Sequence, residues 1–358
     1  MKLTDVFTSA AIAAAFNTYA QDSNRPPLLG QSFFPPRKKA GLDLKFIKGS
    51  KGAPVALRAS AFDTMAPVRD RIGINVLNDQ MPFFKDSYLI KEEDRQQILR
   101  AADSNDPYAR AVLSHIYDDT NGLIYGAEVV PERMIWQLLS AADGHPRISI
   151  SINGEPKEFD YDPDNSFQEN NYTALTGAKM WTNYANATPI EDMETAADTI
   201  RKKTGVAPAY AVMTTKTLND IKQCKSVQGY IIAAKGTGVA RITKESVKEL
   251  IRSELKMEVI VYDNVFCTEV GGTVQKYIPD NVVSLLSPGF AGYTWFGTAP
   301  AEADKNADIK CDVTIVDTGI AVEVVSKSDP HQTQILASEI VLPSFEGIDN
   351  CYILRTAT

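Results

Sequence analysis

From Pro107 onward the chain keeps a helical beat over an unusually long stretch. Asp106 can cap it and Pro107 can take its first position. Tyr108, Val112, Ile116, Leu123 and Ala127 recur at helical spacing, and Met134, Ile135, Leu138 and Leu139 resume the pattern after Pro131. Residues 107–140 therefore predict one helix of about 50 Å, at roughly 1.5 Å per residue. Pro131 should kink it, because proline lacks an amide hydrogen and crowds the preceding turn. Gly122 and Gly126 weaken it further.

A helix of that length needs a sizeable body around it. The 358 residues suggest two or three domains. With 44% hydrophobic and 23% charged residues the composition is that of a folded globular chain. The net charge of −8 argues against a phosphate-gripping surface, which needs clustered Lys and Arg. The runs Arg37-Lys38-Lys39 and Arg201-Lys202-Lys203 are expected as solvated faces or helix ends. Cys224, Cys267, Cys311 and Cys351 show no CxxC spacing, so neither a zinc site nor a disulfide framework is expected, and they are read as reduced thiols of a cytosolic compartment. His115, His145 and His331 are scattered and read as structural. No metal, cofactor or catalytic constellation is expected. No apolar run is long enough to span a bilayer, so no membrane association is expected.

The remaining chain divides by pattern. The start, MKLTDVFTSAAIAAAF, predicts a short helix rather than an export signal, with Thr4 as N-cap and Val6, Ala10, Ala13 and Ala14 on one weak face. Two Pro-Pro pairs bracket residues 26–36 and favour an extended arm, whose Leu28, Leu29, Phe33 and Phe34 want burial. Leu42, Leu44 and Phe46, then Val55, Leu57 and Ala59, alternate about the turn Lys48–Gly52 and predict a hairpin. A strand from Ile74 and a helix across LIKEEDRQQILRAA follow. Asn153-Gly154 predicts a tight hairpin, and DPDNSFQENNY a polar loop. Thr188-Pro189-Ile190-Glu191 has the form of a capping box opening a helix that Gly205 ends. Short strands and helices then alternate to about residue 295, including a helix capped by Thr243. From Asp312 the chain is strands again, closed by CYILRT.

Little here suggests chemistry. Asp317-Thr318-Gly319 follows an apolar strand, as in aspartic hydrolases, but only one copy occurs where two aspartates must share a proton. A β-turn suits Asp and Gly equally well. Gly236-Thr237-Gly238 lacks P-loop spacing, and Glu92, Glu93 and Asp94 read as charges complementing a helix start. The charged segment VALRASAFDTMAPVRDR has no catalytic surroundings.

In order, GLDLKFIKG, PVALRASAFDTMAPVRDR, MPFFKDSYLIKEEDRQQI, VVPERMIWQLL, ATPIEDM, YIPDN and IVLPSFEGIDNCYIL resemble the major capsid proteins of tailed bacteriophages of the lambda type (E protein). The resemblance covers nearly the whole chain. It implies an α+β protein with the tailed-phage capsid fold, shared with encapsulins. The implied parts are an N-terminal arm (1–38), an E-loop hairpin (39–72) and a peripheral domain with the spine helix and a long sheet (73–187). An axial α/β domain (188–295) and C-terminal strands returning to the peripheral domain (296–358) complete it. The hairpin at Asn153-Gly154 would extend the peripheral sheet. The implied function is self-assembly into hexamers and pentamers of an icosahedral shell around double-stranded DNA, enclosed without specific binding. Scaffolding and portal proteins and a decoration protein would be partners, with assembly in the host bacterial cytoplasm. Arg58, Asp63, Arg69, Asp70 and Arg71 would pair across subunits at the E-loop and its base, where opposite charges set register. The alternatives are an encapsulin-like cellular compartment and an aspartic hydrolase using Asp317.

Overall fold

The computed structural model describes residues 8–20, 26–48, 75–94, 96, 107–152, 154–235, 242–269, 271–307, 312–328 and 331–357. They fall into two compact units. The first gathers residues from 1–44, 78–133 and 293–344, the second from 45–77, 134–292 and 345–358.

The first unit is built on the strand His331–Ser344, at 14 residues the longest among the described residues. It pairs antiparallel with Ile320–Ser328, with Phe83–Ile90 and, at its far end, with Tyr293–Phe296. Asp312–Val316 adds to Ile320–Ser328, and Pro36–Lys38 pairs parallel with Tyr293–Phe296, giving six strands. Alternate residues of a strand share a face, so Ile335 and Ala337 point together. They meet Val322, Ile320 and Val316 from the sheet, Leu123 and Ile124 from the long helix, and Ile12 and Phe16 from the first helix. Ile335, Val322, Ile124 and Phe16 are each fully buried. Each such side chain contributes about 1.5–3 kcal/mol through loss of water contact.

The long helix spans Pro107–Leu139, 33 residues, and runs through Pro131 without interruption. The expected helix is therefore present to within one residue. At Pro131 the carbonyl of Ala127 loses its usual amide donor. The first helix spans Ser9–Ala20, and its buried face is Ser9, Ile12, Ala13 and Phe16. This corrects the expected face: Ala10 and Ala14 are exposed, because Ile12 and Phe16 offer far more apolar surface to bury. Thr4, Asp5 and Val6 lie outside the described residues. The arm is not wholly extended, since one helical turn, Gly30–Phe33, fits between its proline pairs. Phe33 and Phe34 are buried, as the composition of the arm required.

The second unit centres on a five-stranded mixed sheet, in the order Tyr172–Ala174, Cys351–Arg355, Val282–Leu286, Tyr210–Met213 and Glu258–Val261. The strand VVSLL is buried at every position, the signature of a strand covered on both faces. Helices Pro189–Thr204, Thr215–Gln223, Lys225–Lys235 and Lys244–Leu255 supply Met193, Ile200, Leu218, Ile221, Val227 and Ile251 to its core. Thr243 Oγ1 accepts from the Ser246 amide at 3.2 Å, the cap its sequence predicts.

Three local expectations are corrected. Thr188 precedes its helix without a side-chain cap bond, so the capping box is not formed. Glu191, the acidic half of that box, instead accepts from the Tyr230 hydroxyl at 2.8 Å. The polar segment after residue 160 contains a helical turn, Ser166–Asn170, held by the buried Asp162 carboxylate, which accepts from the Phe167 and Gln168 amides. The hairpin Arg147–Ile152 and Glu155–Asp160, with Gly154 at φ +85°, pairs only with itself among the described residues instead of extending the long sheet. Its second strand, EPKEFD, is exposed at five of six positions and cannot be sandwiched inside a sheet.

Candidate assembly surfaces

Arg58, Asp63, Arg69, Asp70 and Arg71 lie outside the described residues, as do the expected return strand Val55–Ala59 and Gly236-Thr237-Gly238. What the structure describes is the root of the loop. Asp43–Lys48 pairs with Asn75–Gln80 as a two-stranded ribbon. Gly41 at φ +86° turns the chain into it, a conformation that side chains with a Cβ resist. The Met81 amide donates to the Leu42 carbonyl at 2.9 Å, and Lys39 Nζ donates to the Asp43 carbonyl at 2.7 Å. Leu44 is buried while Leu42 stays 50% exposed.

The arm is seated by a residue that sequence reasoning missed. Glu132 is fully buried on the long helix. Its carboxylate accepts from the Leu29 amide at 3.0 Å and from the Gly30 amide at 2.8 and 3.0 Å. Negative charge at the first amides of a helical turn is favourable, and charge-assisted bonds are stronger than neutral ones. The only sequence signal is a charged pair, Glu132-Arg133, following Pro131 in the largely apolar run before Trp136. Beyond this anchor, Thr294 Oγ1 donates to the Phe34 carbonyl at 2.9 Å, and the Arg37 guanidinium lies 3.4 Å from the centroid of the Tyr293 ring.

The surface also presents apolar side chains. On the strand Phe83–Ile90, Phe83, Tyr88 and Leu89 are exposed, and on the short hairpin at Val265–Lys276, Val265 and Val274 are exposed.

The family described as phage major capsid protein E matches residues 8–355, from the first helix to the end of the closing strand. The chain belongs to that family. A major capsid protein self-associates into the shell of the virion head, which is the function of this chain. Solved structures share the fold. A prophage protein of Escherichia coli CFT073, assigned as its capsid protein, is 15% identical, with 98% of this chain and 99% of that one covered at a TM-score of 0.62. A phage-related protein of Bordetella bronchiseptica RB50 is 14% identical, covering 98% and 97% at a TM-score of 0.57. The capsid of cyanophage A-1(L) is 14% identical, covering 94% and 95% at a TM-score of 0.53. A comparison with curated proteins returns no match.

The capsid protein's remaining sequence features have structural explanations. Asp317, at φ +49°, begins the three-residue turn joining Val316 to Ile320. A Cβ on Gly319 would meet the Phe296 Cβ at 2.6 Å, so that glycine is required by close packing. The aspartic-hydrolase reading of this tripeptide has no support. Burial pushes the Cys224 thiol up to about 12, with the Asp220 and Asp192 charges adding, and burial also raises that of Cys351. Thiols so raised stay protonated and poorly nucleophilic. Among the described residues no group of three or more His, Cys, Asp or Glu is placed to hold a metal, and no helix is long and apolar enough to cross a membrane. Pro131, the expected kink, is buried on the inward side of the capsid protein's long helix.

Proposed function

We propose that the subunits form hexamers and pentamers that tile an icosahedral head around double-stranded DNA. The observation that carries this reading is the extent of the family match: arm, loop root and both units all fall within residues 8–355. The unit holding the long helix as far as Arg133 and the 14-residue strand acts as the peripheral domain. The unit holding the five-stranded sheet acts as the axial domain and meets its copies around the capsomer centre. The E-loop, residues 39–72, lies over the neighbouring subunit. Arg58, Asp63, Arg69, Asp70 and Arg71 pair there with opposite charges, which fix register and reject wrong partners. The net charge of −8 suits a container that holds DNA without gripping it. Pro131 lets the spine helix bend as shell curvature changes, and helices of identical shape in precursor and mature shells would overturn that role.

Assembly takes place in the bacterial cytoplasm with scaffolding and portal proteins, and a decoration protein completes the head. Electron microscopy of the purified chain, alone and with a co-expressed scaffold, tests the proposal. Closed shells with hexameric and pentameric capsomers are expected. Monomers under both conditions would sink it.

A further inference from the structure

One buried acid stands out among apolar neighbours. Glu339 lies on the long strand at 1% exposure, and among the described residues neither of its carboxylate oxygens has a hydrogen-bond partner. It continues the face that carries Ile335 and Ala337 into the apolar core, yet it is a glutamate. It lines a cavity of about 20 Å³. The long helix contributes Glu128 and Pro131 to that cavity, and the turn after Val316 contributes Asp317. The arm closes it with Gln31 and Pro36. Facing ionisable groups are thus all acids: Glu128 and Asp317 across the cavity, and Glu132 one residue beyond Pro131, its carboxylate already engaged by the arm's amides. Phe84 lies opposite Glu339 on the neighbouring strand, Phe296 forms another wall, and no Lys, Arg or His lines the cavity among the described residues.

We propose that the N-terminal arm is latched by a proton: the segment Gln31–Pro36 closes over Glu339 while that carboxyl keeps its hydrogen, and losing the hydrogen releases the arm. An ionised carboxylate as deeply buried as Glu339, beside Glu128 and with no cation lining its cavity, has no counter-charge and must reach water. The walls are unequal. Glu128, Pro131, Phe296, Gly319 and Ile320 are buried, whereas Gln31 and Thr318 are half-buried and Pro36 and Asp317 exposed. The arm is one of the two thin walls, with the Asp317–Thr318 turn the other, and it is held by three strand residues, the Glu132 contacts and two phenylalanines. Burial holds the Glu339 carboxyl well above the usual value of 4.5, in agreement with this geometry. The sign follows from linkage. The closed state binds a proton that the open state gives up above the ordinary glutamate value, so closure is fully favoured below it. Closure weakens as pH rises from there toward the raised value.

The test uses the full-length protein. Trypsin at Arg37 and Lys38 reports arm opening, since the strand Pro36–Lys38 must leave Tyr293–Phe296 to be cut. Dividing the wild-type cutting rate by that of Glu339→Gln at each pH cancels the protease's own pH response. The ratio is expected to climb between about pH 6 and about pH 9, by up to tenfold per unit while Glu339 remains protonated. A flat ratio would overturn the latch. If the variant fails to fold, infrared spectroscopy of the wild-type protein decides. A buried protonated-carboxyl band present at neutral pH, kept while tryptic cutting climbs and lost where cutting levels off, supports the proposal, and its absence at neutral pH rejects it.

Discussion

At the scale of single residues, the capsid protein owes much to a few close approaches. Gly319 is the sharpest. Its neighbour Phe296 leaves no room for a methyl group, the nearest atoms being the Phe296 Cβ and Cδ1, both at 2.6 Å. A Cβ cannot rotate away, so Gly319→Ala should cost about 1–3 kcal/mol by overpacking, visible as a lower midpoint in denaturant unfolding. An unchanged midpoint would mean that the turn shifts freely. The sequence alone could place Asp317-Thr318-Gly319 in a turn, because Asp and Gly favour one. It could not show Phe296, 23 positions earlier, lying against the glycine. Glu132 was hidden for a similar reason, since its partners are amides about 100 residues away.

Elements were legible where their signals are local. The long helix, the hairpin at Asn153-Gly154 and the strand VVSLL follow from periodicity and turn chemistry, and the structure keeps all three. Legibility failed where a tertiary contact outbid a local one. Thr188 and Thr243 both precede helices, but only Thr243 makes its cap bond. Thr243→Ala should therefore cost about 1 kcal/mol, and Thr188→Ala only a few tenths. Thermal unfolding of the two variants side by side checks this, and equal losses would contradict the hydrogen-bond assignment. The helical turn Gly30–Phe33 escaped the sequence because its flanking prolines argue for extension. It exists because Phe33 and Phe34 find a core and Glu132 satisfies its first amides.

At the scale of the whole molecule, the ordered set of segments from GLDLKFIKG to IVLPSFEGIDNCYIL sufficed to place the chain among capsid proteins. Strand pairing was less visible, because a two-residue period says which face is buried but not which strand lies alongside. The closing strand Cys351–Arg355 pairs with Val282–Leu286 and with Tyr172–Ala174, partners no local signal names. The charged loop is the largest remaining expectation. Charge reversal at Arg69 or Arg71 should abolish shells while circular dichroism and the melting temperature of the subunit stay unchanged. Normal shells from both variants would make the segment a solvated loop.

The order in which the sheet of the first unit is completed has a consequence in time. Its middle strand, His331–Ser344, is the shared partner of Phe83–Ile90, Tyr293–Phe296 and Ile320–Ser328. During translation those three segments emerge first and wait, unpaired with it, until synthesis has passed residue 344. A nascent subunit therefore cannot present a finished first unit to its neighbours on the same messenger RNA. The topology itself delays shell building until the strand His331–Ser344 has been made.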